Sequence, residues 1–92
     1  MSLERKVKYK LELTPRFDKE LRKLPKHIMN RIIENIEDLR ARPHSFKRLH
    51  GELKGLHSMR VGDYRIVFTV DDDKERVVVL SAAHRRKVYG LR

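Results

Sequence analysis

Arg60 and Arg65 stand on either side of a Gly62-Asp63 pair, between two strand-like runs, Leu56 to Val61 and Tyr64 to Val70. A Gly-Asp step between such runs is a two-residue hairpin signal. That loop pairs Val61 with Tyr64, Arg60 with Arg65, Met59 with Ile66 and Ser58 with Val67, and residues directly opposite one another share a face. Two guanidiniums so placed repel each other. The pair is therefore either solvated or a site that holds an anion. Arginine suits the second role because it is always charged and presents a planar fork to two phosphate oxygens. A second chemical group lies at His84, flanked by Arg85 and Arg86. Neighbouring cations disfavour a charged imidazole, which leaves a ring that can accept a proton near neutral pH.

The whole chain leans the same way. Its 92 residues hold 23 Lys and Arg against 13 Asp and Glu, a formal charge of +10. A compact domain of that charge is attracted to polyanions, with nucleic acid the leading partner class. Lys47, Arg48, Lys54, Arg60 and Arg86 most simply supply contacts to a phosphate backbone. There is no cysteine, so neither a disulfide framework nor a thiolate zinc site is expected. The five histidines lack regular ligand spacing and acidic partners, so neither metal nor cofactor is expected. No run approaches the ~18 apolar residues of a membrane span, and the N-terminus lacks the apolar centre of a signal peptide. The expectation is one soluble, cytoplasmic domain over residues 1–92.

The elements that must position these residues follow from periodicity. Lys6 to Leu13 alternates as a half-buried strand, with Val7, Tyr9, Leu11 and Leu13 on one side. Thr14-Pro15 is an N-cap followed by proline at the first helical position, and Phe17, Leu21 and Leu24 recur at helical spacing. Pro25 opens a second helix in which Ile28, Ile32, Ile33, Ile36 and Leu39 form an apolar stripe, stopped at Arg42-Pro43. His44 to Lys54 is basic and weakly periodic, which predicts a loop. The hairpin then places His57, Met59, Val61, Tyr64, Ile66 and Phe68 on an apolar face toward the helices. Arg76 to Ala83 is apolar on both faces, as a central strand would be, and residues 84–92 form a basic tail. The expected fold is α+β: a helical hairpin packed on one face of a four-stranded antiparallel sheet, in the order β-α-α-β-β-β.

The segment Leu53-Lys54-Gly55-Leu56-His57-Ser58-Met59-Arg60-Val61-Gly62-Asp63-Tyr64-Arg65-Ile66-Val67-Phe68, with the later Ala83-His84-Arg85-Arg86-Lys87-Val88-Tyr89, resembles the toxins of the RelE/ParE superfamily. The RVGDYR segment with a later HR…VY points to the RelE side. The resemblance implies a type II toxin that enters the ribosomal A site and cuts mRNA there, neutralised by a cognate antitoxin in a hetero-oligomer. By position, Arg65 matches the family's strand arginine, Arg85 the arginine after the last strand and Tyr89 the tyrosine near the C-terminus. One departure stands out: Leu56 and Ser58 occupy positions where the best-known members carry two lysines.

Such cleavage needs no metal, because the ribose 2′-hydroxyl attacks the adjacent phosphorus. The oxyanion needs cationic donors, the nucleophile a base and the leaving 5′-oxygen an acid. Arg65 is the candidate donor and His84 the candidate base. Tyr89 stacks on a base, takes part in proton transfer, or anchors the tail. The alternatives are a ParE-like DNA gyrase poison without ribonuclease activity and a non-catalytic RNA-binding module.

Overall fold

Thr14 begins the helical part of the chain, as its capping chemistry predicts. In the computed structural model, which describes residues 8–48, 55–84 and 86, Thr14 Oγ1 accepts the Phe17 amide at 3.1 Å and Pro15 occupies the first turn. Strand β1 (Lys10–Leu13) precedes it. Helices α1 (Pro15–Arg22) and α2 (Lys26–Ala41) follow, then a 3-10 turn at Pro43–Ser45 and strands β2 (Lys47–Arg48), β3 (His57–Val61), β4 (Tyr64–Asp71) and β5 (Arg76–His84). The basic segment expected to be a loop thus contributes a two-residue strand. The five-stranded sheet has the order β1-β5-β4-β3-β2, with both helices on one face, β4 in the middle and β5 inside the sheet between β1 and β4.

The α+β architecture matches expectation, but the sheet is mixed rather than wholly antiparallel: β1 runs parallel to β5. The antiparallel expectation counted each helix as one reversal of the chain. α2 has 16 residues against 8 in α1, about 24 Å against about 12 Å, so α2 alone carries the chain back across the sheet. Its last turn lies at the start of β1, where the Tyr9 amide donates to the Arg40 carbonyl at 2.9 Å and Arg40 Nε donates to the Tyr9 carbonyl at 3.1 Å. β3 therefore starts from the same end as β1. The meander of β3, β4 and β5 then brings β5 beside β1 in the same direction.

Phe17, Leu21, Ile32, Ile36 and Leu39 of the helices close on Met59, Val61, Ile66, Phe68, Val77, Val79 and Ala82 of the sheet. This is the apolar hairpin face read from the alternation. Ile33, counted in the helical stripe, is instead 50% exposed, and Leu13 on the edge strand is 46% exposed. His57 is buried and stacks on Phe68, ring centroids 5.3 Å apart.

β1 ends at Leu13, opposite Val79, while β5 runs on to His84. The uncovered edge of β5 is satisfied by side chains: Thr14 Oγ1 donates to the Leu80 carbonyl at 3.1 Å, and Glu20 Oε1 accepts Ser81 Oγ at 2.7 Å and the Ala82 amide at 2.9 Å. Buried edge groups need such partners. Glu20→Ala strands a buried hydroxyl and a buried amide, so it should cost about 2 kcal/mol. Urea unfolding of Glu20→Ala beside Glu20→Gln, which keeps an acceptor, checks this; equal midpoints for Glu20→Ala and wild type would remove the clamp.

The opposite end of the sheet is tied by Asp72, whose Oδ1 accepts the Tyr9 hydroxyl and pairs with His44 Nε2, each at 2.7 Å. Those two hydrogen bonds, Tyr9 first, hold the Asp72 carboxyl below the usual carboxylate range, and the same bond pushes the Tyr9 hydroxyl up. A depressed carboxylate contributes stability above its unfolded pKa and loses it as pH falls through the folded one. Melting temperature should therefore drop more steeply for wild type than for Asp72→Asn below about pH 4. Parallel pH profiles would show that the bonds contribute nothing.

Candidate nucleic-acid interface

The β3–β4 register places Arg60 opposite Arg65, Met59 opposite Ile66 and Ser58 opposite Val67. Gly62 takes φ +60° while Asp63 keeps negative φ, the pattern of a type II′ turn, which fixes that register. Arg60 and Arg65 thus lie on the face away from the helices. Arg60 is exposed and its Nε donates to the Gly62 carbonyl at 3.4 Å. Arg65 is half-buried, beside Ala83 of β5, and its Nε is buried without a hydrogen-bond partner among the described residues. A desolvated donor left unsatisfied costs stability, and a bound acceptor would recover it.

The other end of the sheet offers a comparison. Arg76 Nε is also buried without a partner, but its guanidinium is answered by Glu12 at 3.3 Å and Asp71 at 3.8 Å. Neither Arg60 nor Arg65 has a carboxylate partner among the described residues. Asp63, next to them in the turn, forms no ion pair with either.

His84 occupies the opposite face. Val67 pairs with Ser81 but Phe68 pairs with Val79, so Leu80 is an extra residue that reverses the alternation beyond it. His84 therefore sits opposite Tyr64, against which its ring packs edge-on at 5.6 Å. The Arg86 amide donates to His84 Nδ1 at 3.3 Å. A neutral ring in that bond has Nδ1 unprotonated and carries its proton on Nε2.

Arg86 is exposed at this same end. Arg85, Tyr89 and Lys54 lie outside the described residues. Lys47 and Arg48 form β2, in register with Ser58 and His57. Among the described residues no group of three or more His, Cys, Asp or Glu is placed to hold a metal ion. None of the described helices is long and apolar enough to cross a membrane. One basic residue at the turn escaped the sequence reading: a Cβ at Gly62 would lie 3.5 Å from Arg31 Nη1. Arg31 is on the polar side of α2, where periodicity carries no signal for it.

The sequence and the fold are similar to those of known proteins. The model of the family described as ParE toxin of type II toxin-antitoxin system, parDE, matches residues 11–89. Toxin RelE of Mycobacterium tuberculosis is 36% identical over 85 residues, covering 90% of this chain and 88% of that protein. Toxin RelG of the same organism is 35% identical over 83 residues, covering 88% and 95%. A chain of the toxin–antitoxin complex RelBE2 from M. tuberculosis superposes with a TM-score of 0.80 at 34% identity, covering 89% of this chain and 97% of that one. A chain of the archaeal RelE–RelB complex from Pyrococcus horikoshii gives 0.69 at 26% identity, covering 86% and 97%.

Proposed function

The chain belongs to the RelE/ParE family of type II toxin–antitoxin toxins, and from that premise we propose that it is a metal-independent endoribonuclease that cuts mRNA in the ribosomal A site. The observation that carries this reading is Arg65: a half-buried guanidinium that has, among the described residues, no hydrogen-bond partner at Nε and no carboxylate partner, with a second arginine across the strand. Such a group is suited to a phosphate that gains charge during reaction.

In the reaction the 2′-oxygen bonds to the adjacent phosphorus as the bond from phosphorus to the 5′-oxygen breaks, leaving a 2′,3′-cyclic phosphate and a 5′-hydroxyl. The 2′-hydroxyl loses a proton and the leaving oxygen gains one. Arg65 stabilises the oxyanion, with Arg85 assigned as a second donor by its position in the family motif. His84 is assigned as the base that takes the 2′-hydroxyl proton at the ring nitrogen its neutral form leaves unprotonated, and that proton passes on to the leaving oxygen. Tyr89 is assigned to base stacking or proton transfer. Arg60, Arg86, Lys47, Arg48 and Lys54 hold the backbone, and no cofactor takes part.

The solved relatives named above are toxin–antitoxin complexes. For this chain they support a cognate antitoxin partner in a hetero-oligomer. Against a domain of charge +10 that partner is acidic where it covers the basic surface, and association is fast and salt-sensitive.

A gyrase poison is the second reading, favoured by Ser58, buried in β3 where a family nuclease carries lysine. Mapping mRNA 5′ ends in a translating extract separates the two. New ends within A-site codons support cleavage; intact transcripts with stalled gyrase would overturn it.

A further inference from the structure

The bulge at Leu80 decides what stands beside Arg65. With it, Val67 pairs with Ser81, Ile66 with Ala82, Arg65 with Ala83 and Tyr64 with His84. Without it, the register set between Arg76 and Val79 would run on unbroken: Leu80 would stand opposite Val67, Ser81 opposite Ile66, Ala82 opposite Arg65 and Ala83 opposite Tyr64, and His84 would move to the level of Asp63. Side-chain volume separates these two registers poorly, because Ala82 and Ala83 fit either face. A bulge also leaves one residue unpaired in the ladder, so something outside the β4–β5 pair has to favour it.

That support comes from α1 and its cap. The Val79 and Leu80 carbonyls both bond to Thr14, the first to its amide and the second to its Oγ1, each at 3.1 Å. Successive carbonyls of a regular strand point to opposite sides, so two that meet one residue mark the irregularity. Glu20 holds the next two positions. Its Oε1 accepts Ser81 Oγ at 2.7 Å and the Ala82 amide at 2.9 Å, while Arg16 Nε donates to Oε2 at 3.2 Å. Ser81 carries the only hydroxyl of β5 and is fully buried. In the unbulged register that hydroxyl would face Ile66 in the apolar layer, away from Glu20, and a buried hydroxyl without a partner is unfavourable. Glu20 thus distinguishes two registers that packing does not.

We propose that Glu20 is a positioning residue for the reactive end of β5: it selects the bulged register and so sets Ala83 against Arg65 and His84 against Tyr64. The functional consequence rests on the ribonuclease reading, in which Arg65 meets the phosphate and His84 moves the proton. A slip of one residue carries His84 about 3.4 Å along β4 and to the other face of the sheet. Glu20 acts through Ser81 and Ala82 and touches no substrate.

The test compares wild type, Glu20→Ala, Glu20→Gln and Ser81→Ala as full chains at low temperature. NMR reads the register without any reaction: ring contacts between Tyr64 and His84 and cross-strand contacts between Ile66 and Ala82 mark the bulged form, and contacts between Arg65 and Ala82 as a directly opposed pair mark the other. Single-turnover cleavage at saturating ribosomes, scored per folded molecule beside ribosome affinity, reads the consequence. Glu20→Ala should lose the Tyr64–His84 contact and cleave about 10²-fold more slowly, the scale of effect for a misplaced reacting group. Its ribosome affinity should not fall, since a lost negative charge cannot weaken attraction to a polyanion. Glu20→Gln keeps an acceptor in place and should restore both contact and rate. A folded Glu20→Ala with wild-type contacts would overturn the proposal, as would Glu20→Gln behaving like Glu20→Ala, or unchanged cleavage despite shifted contacts. If Glu20→Ala does not fold, Ser81→Ala decides. It removes one bond to Glu20 and the cost of turning that hydroxyl into the apolar layer, so it should populate both registers; bulged contacts alone would overturn the role of Glu20. A wild-type toxin that leaves ribosomal mRNA uncut while Glu20→Ala still shifts the contacts would remove the nuclease reading and keep the register lock.

Discussion

Arg65→Ala should fold normally, bind ribosomes only modestly more weakly and cleave A-site mRNA about 10²–10³-fold more slowly than wild type. Folding is preserved because Arg65 lies on the helix-free face, opposite Arg60, and contributes nothing to the core cluster. Truncation removes a like-charge contact across the strands and a buried Nε that has no partner. Both were unfavourable, so stability should stay within about 1 kcal/mol of wild type or rise. Binding falls modestly because one phosphate contact among many is lost. The rate falls steeply because the lost donor acts where charge develops. Single-turnover cleavage beside a thermal melt reads both quantities, with Arg60→Ala as the comparison and Arg65→Lys to separate charge from the guanidinium fork. Near-normal cleavage by folded Arg65→Ala would sink the assigned role, and the toxin would then have to act without an oxyanion donor in β4.

The hairpin and its faces were legible because a two-residue Gly62-Asp63 loop allows few geometries and strand alternation does the rest. That is why the Arg60–Arg65 pairing could be read before any coordinates. Two features escaped for different reasons. The direction of β1 depends on how far α1 and α2 each carry the chain across the sheet, and helical periodicity says which residues are buried without saying where a helix ends in space. The face of His84 depends on one extra residue, Leu80, in a run of small and β-branched side chains whose pattern looks the same in either register. Without that bulge His84 would share the face of Arg65. Arg31 illustrates a third limit. Its neighbours in the helix are unremarkable, and its place at the turn exists only because α2 packs across β3.

Phe68→Ala should lower stability by about 3–5 kcal/mol, a large share of what a domain of this size possesses. Phe68 is fully buried in β4. Its ring stacks on His57 at 5.3 Å with an interplanar angle of 17° and meets Phe46 edge-on at 6.2 Å. Truncation therefore opens a cavity against three elements, because Phe46 comes just before β2, His57 opens β3 and Leu39 of α2 belongs to the same buried cluster. At about 4–8 °C per kcal/mol for a domain of this length, the melting temperature should fall by at least about 12 °C. Phe68→Leu keeps most of the volume and should lose much less. The functional signature is the reverse of Arg65→Ala: activity of Phe68→Ala falls on warming with the folded fraction, while the rate per folded molecule at low temperature stays near wild type. Urea unfolding at two temperatures beside single-turnover cleavage separates these cases. A Phe68→Ala protein within about 1 kcal/mol of wild type would mean that the His57–Phe68–Phe46 stack does not hold β3 and β4 against the helices, and the surface carried by their turn would lose its support.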